Sequence, residues 1–176
     1  MRVETHPDAS RETEIEKAFL EHHEMVYRAA FRITGNSSDA EDVLQTLFLR
    51  LIRREWTPDR QHGWPAYLHR ASINIALDVV RARSRHAPIN EAEFIEEFRP
   101  DPHRQRSSAE LHEVFTRALA ELKPNAAEMF VLRYVEGCRI QDIAAMFHTS
   151  SGTVAVTLFR TRSRLRKSMR KFLGGS

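Results

Sequence analysis

The chain has 176 residues with 41% hydrophobic and 29% charged side chains, the balance of a globular, water-soluble protein of one medium or two small domains. Gly and Pro number only 6 and 7, against a sheet protein built on tight turns, and no apolar run approaches the roughly 20 residues a membrane span needs. One cysteine, Cys138, excludes an internal disulfide or a Cys-based zinc module, and an N-terminus without an apolar core carries no secretory signal, so a cytoplasmic protein without membrane insertion is expected.

In chain order, the apolar spacing is helical almost throughout. Phe19, Val26, Ala30 and Ile33 form a first stripe that ends at Gly35-Asn36. Leu44, Leu47, Phe48, Leu51 and Ile52 form a second, with Ser37 or Ser38 able to cap its start and Glu41 placed for a capping box from Ser38. Trp64, Leu68, Ala71, Ile75 and Val79 form a third, with Pro65 tolerated in the first turn. Residues 87–108 hold Pro88, Pro100 and Pro102 among Glu91, Glu93, Glu96 and Glu97 and sustain no helical spacing, the composition of a linker.

Beyond the linker, Leu111, Phe115, Ala118 and Leu122 predict a helix stopped at Lys123-Pro124. A second runs from about Asn125 to Val135 and ends at Gly137. Ile140, Ile143, Ala144 and Phe147 mark a short third. After His148-Thr149-Ser150 comes a fourth, with Val154, Leu158, Thr161 and Leu165 inward. A short helix, a tight turn and a longer helix, with small Ala144 at the crossing, make the helix-turn-helix pattern, although any helical hairpin spaces its residues similarly. The expected fold is therefore all-α: two small helical domains, residues 1–86 and 109–176, joined by a flexible linker, the second containing the helix-turn-helix.

Charge is uneven along this plan. Residues 61–86 carry 4 Lys/Arg against Asp78, and residues 137–176 carry 8 against Asp142, whereas the segments between and before them are net acidic. Two basic stretches at the ends of apolar-periodic helices are a nucleic-acid footprint, and a solvated helix face gives the same pattern. Cys138 and the nine histidines form no metal-ligand set, and there is no Gly-rich phosphate loop, nucleophile motif or paired-acid constellation. Neither catalysis nor a cofactor is expected.

Three segments resemble one family. Residues 39–50, Asp-Ala-Glu-Asp-Val-Leu-Gln-Thr-Leu-Phe-Leu-Arg, are similar to the core-polymerase-binding segment in region 2 of bacterial sigma factors. Residues 67–81, Tyr-Leu-His-Arg-Ala-Ser-Ile-Asn-Ile-Ala-Leu-Asp-Val-Val-Arg, are similar to the promoter-melting, minus-ten-reading segment. Leu132-Arg-Tyr-Val-Glu-Gly137, Gln141-Asp-Ile-Ala144 and Gly152-Thr-Val154 resemble region 4, which reads the minus-thirty-five element. Their order and the absence of other regions match the small extracytoplasmic-function class of the sigma-70 family over residues 15–172.

The resemblance implies a non-enzymatic subunit that directs RNA polymerase to promoters. It implies core-polymerase contacts from Asp42, Gln45, Leu49 and Arg50, off the apolar stripe of their helix. It assigns minus-ten DNA, including the unpaired non-template strand, to Trp64, Tyr67, His69, Arg70, Asn74, Arg81 and Arg83. Aromatic faces stack on exposed bases at about 1–3 kcal/mol each while arginines follow phosphates. Trp64 also lies on the apolar stripe and serves equally as core. Asp78 is expected to orient an arginine within the fold, and Ile73 stands where the family commonly has a basic residue. A base-capturing loop is expected around Trp56–Gly63.

For minus-thirty-five duplex, the resemblance assigns Thr153, Val156, Thr157, Arg160, Arg162 and Arg164. Here the chain departs from its family: Ala155, Val156 and Thr157 replace a basic-Ser-basic run, and Asn125, Ala126 and Ala127 replace basic residues. His148 takes the place of the turn glycine and Arg139 that of a Ser/Thr cap, so strain and a lost capping bond are expected. Groove contact then rests on phosphate binding by the arginines plus apolar contact from Val156 or Thr157. The class also implies an anti-sigma partner. Two other readings remain open: a stand-alone helix-turn-helix regulator of double-stranded DNA, and a sigma-like interaction protein without base-specific reading.

Overall fold

A computed structural model describes residues 7–53, 63–86 and 102–172, and among these it contains seven helices and no strand. They are α1 (Pro7–Thr34), α2 (Ser37–Ile52), α3 (Gly63–His86), α4 (Pro102–Ala120), α5 (Pro124–Tyr134), α6 (Ile140–Met146) and α7 (Ser151–Phe172). The chain divides into two compact units, Met1–Ala76 and Leu77–Ser176, the division falling inside α3. Most of the expected base-capturing loop, residues 56–62, and residues 87–101 of the expected linker lie outside the described residues.

In the first unit, α1 and α2 form an antiparallel hairpin. Gly35, at φ 67°, turns the chain where a side chain would be strained, and its N–H closes on the Phe31 carbonyl at 2.8 Å. Asn36 then caps α2, its side-chain oxygen accepting from the Asp39 N–H at 3.0 Å. The cap is therefore one residue earlier than the expected Ser37 or Ser38, because the extended backbone of Asn36 follows directly on the left-handed glycine. Both serines already lie within the helix, exposed.

The hairpin core comes from Ile15, Ala18, Val26, Ala29, Ala30 and Ile33 of α1 and Ala40, Val43, Leu47, Phe48 and Leu51 of α2. Burying each larger aliphatic stabilises the fold by about 1.5–3 kcal/mol. The α2 stripe is centred one step from its expected position. Val43 is fully buried, Leu44 only half so, and Ile52 is 59% exposed. In the middle of α3, Leu68, Ala71, Ser72, Ile73, Ile75, Ala76 and Leu77 are all buried. Ile73 is thus a core residue.

In the second unit, α7 packs against α4, α5 and α6. Val154, Leu158, Thr161 and Leu165 are its buried face, as the spacing predicts, and Ala118, Leu119, Val131, Leu132, Ile143 and Ala144 are also buried in this unit. Helix α4 begins at Pro102, earlier than the first apolar residue of its stripe. The turns before Leu111 are polar in sequence and so leave no signal in the hydrophobic pattern. Gly137, at φ 73°, ends the α5 turn, with the Cys138 N–H returning to the Leu132 carbonyl at 2.8 Å. Residues 147–150 then connect α6 to α7 in the helix-turn-helix geometry.

Candidate nucleic-acid interface

Helix α3 carries three- and four-residue spacing on its polar side as well. Tyr67, Arg70, Asn74, Asp78, Arg81 and Arg85 fall on one face at about 100° per residue. His69 and Arg83 lie on the far side of the helix, so the seven residues expected at minus-ten DNA do not form one surface. Trp64 begins the helix beside this face, half-buried, and meets Tyr67 edge-on with ring centroids 6.3 Å apart. Trp64 is thus neither core nor free.

Tyr67 is half-buried, and its hydroxyl is enclosed without a hydrogen-bond partner among the described residues. Burial pushes its phenol up to about 12, with the nearby Arg11 guanidinium opposing. What it offers outward is ring, not hydroxyl. Asp78 orients an arginine as expected: its Oδ1 accepts from Arg81 Nη1 at 2.9 Å, holding a guanidinium whose side chain is only 20% exposed.

On α2, Asp42, Gln45 and Leu49 are exposed on one face, together with Ile52 and Arg53. Arg50 is half-buried and sits about 100° around the helix from them. Leu49 and Ile52, 48% and 59% exposed, form an apolar pair within a polar rim, the composition of a docking surface. The sequence pattern missed Ile52 because it also fits the apolar stripe.

In α7, Ser150 caps the start, its Oγ accepting from the Thr153 N–H at 3.1 Å and pairing with the Thr153 hydroxyl at 2.9 Å. The Thr153 hydroxyl is therefore engaged at the cap. Val156, Arg160 and Arg164 are exposed and Thr157 is half-buried on the same side as Thr153. Arg162 lies on the other side, where with Arg166 and Arg170 it borders an open cleft of about 330 Å³ lined by Phe115, Phe130, Leu165 and Met169. Phe159, absent from the expected set, is 76% exposed. The preceding turn has the expected features: His148 is left-handed at φ 49°, and Arg139 caps α6 without a side-chain bond.

Among the described residues no cluster of three or more His, Cys, Asp or Glu is placed to hold a metal, and no helix is long and apolar enough to cross a membrane. Burial, then Glu136 and Asp142, push the Cys138 thiol above its ordinary range, away from nucleophilic chemistry.

Comparison with known proteins gives a consistent picture. Residues 18–86 match the family described as sigma-70 region 2, and residues 112–165 match sigma-70, region 4. The chain is 33% identical over 156 residues to the ECF RNA polymerase sigma factor SigE of Mycolicibacterium smegmatis, covering 86% of this chain and 60% of that protein. It is 30% identical to the RNA polymerase sigma-E factor of Streptomyces coelicolor, covering 89% of this chain and 86% of that one. In fold it matches the sigma factor RpoE of Bartonella quintana, solved with the anti-sigma factor NepR, at a TM-score of 0.50 and 18% identity, covering 93% and 98% of the two chains.

Proposed function

The chain belongs to the extracytoplasmic-function sigma factors of the sigma-70 family, which are transcription initiation factors and not enzymes, and from that premise we propose how its surfaces divide the work. It directs RNA polymerase to promoters through two modules, residues 1–86 and, from the start of α4, residues 102–176, joined by residues 87–101. The exposed face of α2, with Asp42, Gln45 and Leu49 and now Ile52, docks on core polymerase, and Arg50 borders it. The α3 face with Trp64, Tyr67, Arg70, Asn74 and Arg81 takes the unpaired minus-ten strand, while His69 and Arg83 flank it from the other side. Helix α7 enters the major groove upstream, with Arg160 and Arg164 against phosphates on the side of Thr153, Val156 and Thr157, and Arg162 on the opposite wall.

The observation that carries this reading is the α3 face. A regulator that binds only closed duplex has no use for two half-exposed aromatic rings in line with arginines. Taking a base out of the stack costs a few kcal/mol, which stacking on Trp64 and the Tyr67 ring offsets. The 15 residues between α3 and α4 reach about 50 Å when extended, about one and a half turns of duplex at roughly 35 Å each. Once the first module is bound, the second finds its element at raised effective concentration. A cytoplasmic location and control by an anti-sigma protein belong to the same proposal.

Mixing the purified chain with core polymerase and promoter DNA tests this, using one template fully paired and another with a pre-opened bubble. Stable binding is expected to need the polymerase and to strengthen with the bubble. Tight binding to closed duplex alone, indifferent to both, would instead identify a stand-alone regulator.

A further inference from the structure

The proposed reading of α7 leaves its exposed Phe159 without a role. Val154, Leu158, Thr161 and Leu165 fix its buried side. At about 100° per residue, Gly152, Val156, Phe159 and Ser163 fall opposite, along the outermost line of the helix. Phe159 there is 76% exposed and Val156 50%, with Ala155 exposed beside them. Arg160 and Arg164 run along one flank of this crest and Arg162 and Arg166 along the other, all four exposed. An apolar ridge between two cationic rows is complementary to a surface that is apolar in its floor and anionic on both walls.

We propose that Val156 and Phe159 read the C5-methyl groups of thymine in the major groove, so that the upstream element of this factor is recognised through its thymines. The inference rests on the reading of α7 as the duplex-binding helix. In the major groove the thymine methyl is the one apolar mark among donors and acceptors, and apolar side chains are its partners. The crest bears no hydrogen-bonding side chain from Gly152 to Phe159 along this line: Gly152, Ala155, Val156 and Phe159 have none to offer. It cannot distinguish bases by hydrogen bonds, but it can by methyl groups. The flanking arginines reach the walls and supply affinity to any sequence. An acidic protein would satisfy the arginines equally, but it offers no reason for two opposed rows about a central ridge.

The test selects duplexes from a random pool with the full chain bound to core polymerase, core polymerase alone serving as the control, and remakes the retained duplexes with uracil in place of thymine, which removes the methyl alone. Wild-type affinity is expected to fall about fourfold for each contacted methyl. The Val156→Ala/Phe159→Ala variant, altered only at exposed positions, is expected to bind both forms equally while keeping the wild-type salt dependence. Equal wild-type affinity for thymine and uracil duplexes, with normal salt dependence, would overturn this inference and leave the duplex-binding reading intact. Failure to retain any duplex would overturn the reading and the inference together and point to a protein partner for the crest.

Discussion

The guanidinium of Arg11, near the start of α1, donates through Nη2 to the carbonyl oxygen of Leu51, near the end of α2, at 3.1 Å. The last carbonyls of a helix lack intrahelical donors, and a cation placed there also suits the helix dipole. One side chain therefore closes the open end of the α1–α2 hairpin, opposite the Gly35 turn. It also lies near Tyr67, so the hairpin and the proposed strand-binding face of α3 share a support.

Replacing Arg11 by Met keeps most of the aliphatic stem and removes the donor. The expected loss is about 1–2 kcal/mol of stability, the range of a partly buried charge-assisted bond. Urea titration of the two proteins checks it; an unchanged midpoint would show that the bond contributes nothing.

Tyr67 gives a pH signature. Its phenol ionises at about 12 in the folded chain against an ordinary value of 10.0. With the folded value raised, its contribution to stability is fully present below pH about 10 and is lost between about 10 and 12. Spectrophotometric titration is expected to find one of the three tyrosines ionising last, and Tyr67→Phe is expected to remove that step. The same substitution deletes a buried hydroxyl without a partner, so it should leave stability below pH 10 equal or higher. Bubble binding is expected to survive Tyr67→Phe and to weaken with Tyr67→Ala, because the ring and not the hydroxyl is offered outward.

His148 holds a left-handed backbone at φ 49°, a conformation that costs a residue with a Cβ about 1–2 kcal/mol. His148→Gly is expected to raise stability by about 0.5–1 kcal/mol, the relief being partly offset by glycine's greater loss of chain entropy. His148→Val is expected to lower it, since a branched Cβ suits that conformation least. Denaturant melts of both variants decide the matter.

These outcomes also mark what the sequence could and could not reveal. The inward face of α7 follows from residue type and spacing alone, and the uncapped Arg139 and left-handed His148 from where the resembled family has a cap and a turn glycine; the structure has all three, and it pairs Asp78 with Arg81, an arginine the sequence left unnamed. Edges of apolar stripes do not. Ile52 and Val43 both fit a helical stripe on α2, and the packing angle against α1 decides which is buried. Phe159 fits no inward stripe, yet a lone phenylalanine carries no mark of exposure until the helix around it is oriented. The Asn36 cap depended on where Gly35 turned, and Ile73 on how far the core wraps α3.

The arginines of α7 are expected to act through phosphates. Replacing Arg160 and Arg164 by Ala should lower duplex affinity and reduce the slope of log affinity against log salt by about one unit for each lost contact. Both are exposed, so stability should change by less than about 0.5 kcal/mol. Binding assays from low to physiological salt report both slope and affinity; a slope that stays the same would show this flank idle.

The division of labour between the two modules is tested most directly by transcription from sheared genomic DNA of the source bacterium. Core polymerase is supplied alone, with the chain, or with its Leu49→Asp variant. With the chain, a set of transcripts is expected to start downstream of a shared two-part element. The variant, changed at a side chain 48% exposed, is expected to fold normally and yield none of them. The same transcripts from core polymerase with and without the chain, or a variant as active as the wild type, would contradict the assignment.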